Sequence, residues 1–310
     1  MSAGGQSSGG VSSSGGAGGR SSGGASQSSG GGGAASSGGS AGTAGTAGGG
    51  ATDAKPSAGC SKATGRPSSG AVDVAGDHYF TFPSDYDGTK PFPVLLGFHG
   101  CGGDNRGTDR NSTEYIKLTK GTAFETSYVR AVPVSSDSGG CWTYNTDISR
   151  VTKMYDDLTA NYCVDTNHVF ATGHSSGAQF IVQILTKKND AAHFNFKAVA
   201  PTAASDYGAL AGPTPVMYIQ GKMDSVRGED GSKTVARFVA ANGCASTSKP
   251  LDVGSCQSGS TTVAPGCINY DSCTVPTVWC SHNDPAYSGT SHGVPCFAMK
   301  AMNDFFVGLH

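Results

Sequence analysis

The chain has 310 residues, a formal net charge of -2 and 48 glycines. No block of Lys and Arg stands out, which argues against a nucleic-acid footprint or a polybasic membrane patch. No apolar run approaches the roughly 20 residues that a membrane-spanning helix needs.

Twenty-one of the 48 glycines lie in the first fifty positions, mixed with Ser and Ala. Such a stretch has too little apolar surface to offset the entropy of ordering, so residues 1–58 are expected to be a disordered tether. Composition changes near Cys60, and residues 59–310 are long enough for one α/β domain with a sizeable core. The first residues carry neither a basic n-region nor an apolar h-region, so no signal peptide is visible. All ten cysteines fall at or after Cys60, six of them between Cys244 and Cys296. They lack paired C-x-x-C knuckles, which disfavours zinc, and their even number favours disulfides. Disulfides imply an oxidising compartment, hence a secreted or surface-tethered protein.

In chain order, the alternating His78–Phe82 reads as a strand with one solvated face. Val94–Phe98 is a continuous apolar run, as in the central strands of a parallel sheet. A helix is expected over 113–124 and a strand over 128–132. Residues 147–162 place Ile148, Val151, Met154, Tyr155, Leu158 and Tyr162 on one helical stripe. A strand over 167–171 runs into a helix over 176–188, and another strand is expected at 196–200. Val216–Ile219 is the next strand, followed by a helix over 232–241 that ends at Asn242–Gly243. The cysteine-rich stretch 245–276 reads as an irregular insertion. A last strand at 277–280 and a closing helix over 296–309 complete the series. This alternation calls for right-handed crossovers and a mostly parallel sheet covered by helices on both faces.

Gly173-His174-Ser175-Ser176-Gly177 fits G-x-S-x-G and lies between an expected strand and an expected helix. That context makes it a nucleophile elbow, the signature of the α/β-hydrolase fold. Its serine needs a base to take its proton and a carboxylate to orient that base. The chain order in this fold is Ser, then acid, then His. His292 in Gly289-Thr290-Ser291-His292-Gly293 is preferred as base, with His282 as the alternative. Asp224 follows the strand at 216–220 and is the first candidate acid, with Asp206, Asp230 and Asp271 as alternatives. The oxyanion hole needs two backbone N–H donors. Ser176 is expected to supply one. The other should come from His99-Gly100-Cys101-Gly102-Gly103, with Cys101 first and Gly102 second. Trp142, His174 and Val294 are candidate substrate contacts, although a tryptophan beside Cys141 also suits a structural role.

Three segments together resemble a known group: Phe98-His99-Gly100-Cys101-Gly102-Gly103, Ala171-Thr172-Gly173-His174-Ser175-Ser176-Gly177 and Ser288-Gly289-Thr290-Ser291-His292-Gly293-Val294-Pro295. They are similar to the secreted feruloyl and acetylxylan esterases of carbohydrate esterase family 1 and to the related polyhydroxybutyrate depolymerase-like esterases. The resemblance covers residues 60–310. It implies Ser175 as nucleophile, Asp224 as acid and His292 as base, acting without cofactor or metal. It implies a feruloyl or acetyl ester on plant cell-wall polysaccharide as substrate, and a monomer with neither a nucleic-acid partner nor a membrane span. Two positions depart from the family pattern: Val294 stands where an aromatic residue is common, and Met223 where a small one is. The competing readings are a polyester depolymerase, a serine peptidase, and a non-catalytic carbohydrate-binding module. Asn111-Ser112-Thr113 is a glycosylation sequon that says nothing by itself.

Overall fold

The computed structural model describes residues 53–74, 78–102, 118–137, 139–228, 230–285 and 290–309. The sequon, Gly103, Ser288–Gly289, residues 113–117 of the helix expected over 113–124 and the first 52 residues lie outside this set. Among the described residues, ten strands form one sheet. Their chain order is β1 (Ala71–Val74), β2 (His78–Thr81), β3 (Phe92–Phe98), β4 (Val129–Pro133), β5 (Val164–His174), β6 (Ala198–Thr202), β7 (Val216–Gly221), β8 (Ser248–Leu251), β11 (Gly266–Tyr270) and β12 (Thr277–His282). Between β8 and β11, β9 (Cys256–Ser258) and β10 (Thr261–Val263) make a separate two-stranded ribbon. The spatial order is β1-β2-β4-β3-β5-β6-β7-β12-β11-β8. The run from β4 through β12 is parallel, and antiparallel strands flank it on both edges.

Among the described residues, six α-helices accompany the strands: α1 (Ala123–Ser127), α2 (Tyr144–Asn161), α3 (Ser176–Thr186), α4 (Lys188–Phe194), α5 (Asp230–Ala241) and α6 (Ala298–Val307). The period of two along β3 assigns them to faces. Val94, Leu96 and Phe98 share one core with Met154 and Leu158 of α2, Phe180 and Ile184 of α3 and Phe238 of α5. Leu95 points the other way, into a core with Phe124 of α1 and Met302 and Phe306 of α6. A strand buried on both faces has no polar positions to alternate, which is why β3 reads as an unbroken apolar run.

Several boundaries differ from the sequence-based expectation. Asp53–Ala58, counted with the tether, is part of the domain. Lys55 N–H donates to Asp165 Oδ1, Ser57 Oγ donates to the Tyr162 carbonyl, and Cys60 is bridged to Cys163. The helix expected to run to 188 stops at Thr186, where Lys187 turns extended (φ -110°, ψ 111°), and α4 starts anew. The stretch 245–276 is not irregular: β11 pairs with β12, and β8 with β11, extending the main sheet. β8 is largely exposed and short, so it shows almost no apolar periodicity. A disulfide joins Cys267 and Cys280, which face one another across the β11–β12 ladder. All ten cysteines are paired, the other bridges being Cys101–Cys141, Cys244–Cys273 and Cys256–Cys296. Among the described residues, no helix is long and apolar enough to cross a membrane.

Candidate active site

β5 ends at His174, and α3 begins at Ser176. Ser175 between them is held at φ 52°, ψ -116°, a conformation that L-residues rarely adopt. The strain persists because the turn is pinned: Ser175 N–H donates to the Thr202 carbonyl of β6 at 2.9 Å. A Cβ on Gly177 would come within 2.3 Å of the Phe98 carbonyl oxygen. Only glycine lets α3 approach β3 this closely, so the hydroxyl stands at the carboxyl end of the sheet above a helix N-terminus.

His292 and Asp224, the expected base and acid, arrive on two other loops. His292 Nε2 lies 2.9 Å from Ser175 Oγ, and His292 Nδ1 lies 2.9 and 3.0 Å from the two oxygens of Asp224. The carboxylate fixes the tautomer: Nδ1–H donates to Asp224, which leaves Nε2 free to accept from the hydroxyl. Asp224 is itself oriented. Its Oδ1 accepts from the backbone N–H groups of Val226 and Arg227, and its Oδ2 from Gln220 Nε2 at 2.8 Å. Gly221 lets the base loop close on β7, since a Cβ there would lie 1.9 Å from the Ser291 carbonyl oxygen. Burial pushes the His292 imidazole below its ordinary value. The hydrogen bond and charge of Asp224 oppose this, and His174 and Arg227 push it down further. The ring is therefore neutral, and able to accept a proton, over a range that extends below pH 6.5.

The structure brings together Ser175, Asp224 and His292 and sets the alternatives apart. His282 ends β12 with its Nδ1 accepting from the Asp284 N–H, and burial pushes it down to about 4. Asp206 is paired with Arg237 at 3.0 Å, and Asp271 with Lys249 at 3.4 Å. Asp230 opens α5. Gly102 N–H is committed to the Gly139 carbonyl, which removes it as an oxyanion donor. Cys101 precedes it in the same turn, bridged to Cys141.

The three candidate substrate contacts take different places. Trp142 is buried against Phe98, His99 and Phe180. Its indole N–H donates to the His99 carbonyl and its backbone N–H to Ser176 Oγ. It thus ties the Cys101 turn to the start of α3, which is a bracing position. His174 is also buried, and its Nε2–H donates to the His292 carbonyl at 2.7 Å, holding the base loop in place. Val294 is half-buried beside the core on the α6 face.

Sequence reasoning missed a polar wall beside Ser175. Arg227 Nη2 donates to Ser175 Oγ at 3.1 Å and Nη1 to Ser205 Oγ at 3.4 Å. Gln179 lies between this guanidinium and Tyr207. With its amide oxygen turned to Arg227, its nitrogen donates to Tyr207 Oη at 3.0 Å. Gln179 was reachable from the sequence, being one helical turn beyond Ser175. Arg227 sits three residues past the acid, and no local pattern marks it.

No protein-family model matches the chain. A probable feruloyl esterase C of Aspergillus terreus is 28% identical over 265 residues, covering 81% of this chain and 91% of that protein. The feruloyl esterase C of Emericella nidulans is 27% identical over 237 residues, covering 74% and 83%. The chain is a carboxylic ester hydrolase. It has the α/β-hydrolase fold: a mostly parallel sheet with helices on both faces and a strand–serine–helix elbow. Among solved structures, this esterase is similar to the feruloyl esterase module from Clostridium thermocellum (TM-score 0.42, 12% identity, 56% of this chain and 74% of that one). It is also similar to a CE1 ferulic acid esterase from Anaeromyces mucronatus (TM-score 0.39, 16% identity, 53% and 73%).

Proposed function

We propose that the chain is a secreted serine esterase that removes feruloyl or acetyl groups from plant cell-wall polysaccharide through an acyl-enzyme on Ser175. The observation that carries this reading is the continuous chain of hydrogen bonds from Asp224 through His292 to the strained Ser175. In the first step, Ser175 Oγ attacks the ester carbonyl carbon while its proton passes to His292 Nε2. The backbone N–H groups of Ser176 and Cys101 donate to the oxyanion. The imidazolium, stabilised by Asp224, then protonates the departing alcohol as its C–O bond breaks. In the second step, His292 takes a proton from water, which attacks the acyl carbon, and the acid leaves as Oγ regains its proton. Besides the ester and one water, these steps use only groups of this chain. The bracing by Trp142 and the Cys101–Cys141 bridge holds the donors in place before substrate arrives, which is what makes such dipoles effective.

The relatives named as feruloyl esterases support the aryl ester. Five disulfides support an oxidising, extracellular setting. A polyester depolymerase is the second reading, favoured by the exposed apolar side chains of Met223 and Val226 on either side of Asp224. Turnover of methyl ferulate, acetylated xylan and a polyhydroxybutyrate film, measured for wild type and Ser175→Ala together, separates the readings. Cell-wall activity predicts soluble products from the first two substrates only, and a fall of about 10⁴-fold or more in the variant. Release from the film alone would replace the proposal with the second reading.

A further inference from the structure

We propose that Arg227 is a further catalytic residue, a fixed positive charge that holds the oxygen of Ser175 and stabilises the negative charge passing through it. This rests on Ser175 being the nucleophile. The guanidinium is half-buried, and its hydrogen-bond partners among the described residues are neutral acceptors, namely Ser175 Oγ, Ser205 Oγ and the Gln179 amide. Among the described residues, no carboxylate forms an ion pair with it. Asp224 instead uses its oxygens on His292, Gln220 and the backbone of its own loop.

A partly desolvated cation without an anion is costly to keep, and it recovers that cost whenever negative charge appears beside it. Negative charge appears at this place during turnover. As the Oγ–H proton moves to His292 Nε2, the oxygen carries the electron pair that becomes the new C–Oγ bond, and the adduct that follows is an anion. Arg227 donates its Nη2–H throughout and transfers no proton. Arginine suits the task because its guanidinium keeps its charge at every working pH and reaches two acceptors in one plane.

The same charge acts on the base. Among the described residues, the groups that face the His292 ring include Asp224 from the β7–α5 loop, Arg227 from that loop, His174 from the end of β5 and Ser175 from the elbow. Asp224 favours the imidazolium, whereas Arg227 and His174 disfavour it. Removing the guanidinium therefore raises the pKa of His292, and the acid limb of the pH–rate profile moves to higher pH. A residue that only braced the loop would leave that limb unmoved.

The test compares Arg227→Gln, Arg227→Lys and Ser175→Ala with wild type. It reads kcat and KM for 4-nitrophenyl acetate, the acid limb, the melting temperature, and the Kd of phenylboronic acid. That inhibitor's boron accepts the Oγ lone pair to give a tetrahedral anion. For Arg227→Gln, the expected result is a fall in kcat of about 10²-fold with KM within a few-fold, an acid limb shifted upward, and phenylboronic acid bound at least tenfold more weakly. Arg227→Lys keeps the charge and restores most of the boronate affinity and the position of the limb. An unchanged limb and unchanged boronate binding in Arg227→Gln, with Ser175→Ala inactive, overturns the proposal and leaves the nucleophile assignment standing. A lysine variant no better than the glutamine variant, with both melting early, also overturns it. Activity surviving in Ser175→Ala overturns both.

Discussion

The carboxyl edge of the parallel strands and the cysteine-rich extension at the end of the sheet are held by different forces. At the carboxyl edge, β5, β6 and β7 lie between two apolar cores, and Ser175, Asp224 and His292 of the proposed triad are each buried and hydrogen-bonded. In the extension, β8 is mostly exposed and only a few side chains such as Val263 reach the core, so the bridges Cys244–Cys273, Cys256–Cys296 and Cys267–Cys280 supplement thin burial. Where burial is ample, polar precision can be afforded, because neighbouring side chains lock each rotamer. Where burial is thin, a covalent link restricts the unfolded chain instead. Activity and stability should therefore respond to different substitutions in the two regions.

The largest effect should come from the catalytic edge. Asp224→Asn preserves size but presents an amide to His292 Nδ1, which loses the reason to hold its proton there. We expect kcat to fall by about 10⁴-fold while the melting temperature stays within a few degrees. A fall below tenfold would mean that the carboxylate does not set the tautomer.

The opposite pattern is expected for the extension. Replacing Cys244 and Cys273 together by serine opens a loop whose ends are 29 residues apart. Chemical denaturation should show a loss of about 3 kcal/mol, with kcat/KM for 4-nitrophenyl acetate unchanged. A large drop in kcat/KM at full folding would erase the contrast between the regions.

His282, at the junction of β12 with the site, probes stability through pH. It is buried neutral, with a folded value near 4 against 6.5 for the exposed ring. The unfolded chain therefore binds a proton that the folded one refuses. Stability from this burial is complete above about pH 6.5, falls as pH drops toward 4, and changes no further below that. The total is about 3 kcal/mol. Denaturant midpoints between pH 7 and pH 4 should decline in wild type and flatten in His282→Asn. An equally steep decline in the variant would assign the acid sensitivity to other groups.

The smallest effect tests the brace. Trp142→Phe keeps the ring packing but removes the indole N–H that reaches the His99 carbonyl. A fall in kcat of about tenfold with little change in KM is expected, as for a loosened oxyanion hole. Equal losses in KM and kcat/KM would instead place the ring against substrate.

The elbow was legible because its chemistry is local: two glycines, a serine and the strand and helix on either side are consecutive in the chain. Asp224 and His292 were legible only as candidates, since loops beside strand ends are where such groups sit. The strands of 245–276 were not legible. Their short, exposed segments carry no apolar period, and what orders them is pairing with β12 and disulfides between distant cysteines.

By itself, the sequence determined the strand–helix alternation, the strained serine and the even set of cysteines, all of which depend on neighbours along the chain. Tertiary structure alone decided that His174 reaches the His292 carbonyl and Trp142 the His99 carbonyl, that Gly102 is spoken for, and that Arg227 touches Ser175. Those are contacts between loops from different strands, and their energies depend on distances in space that no one-dimensional pattern records.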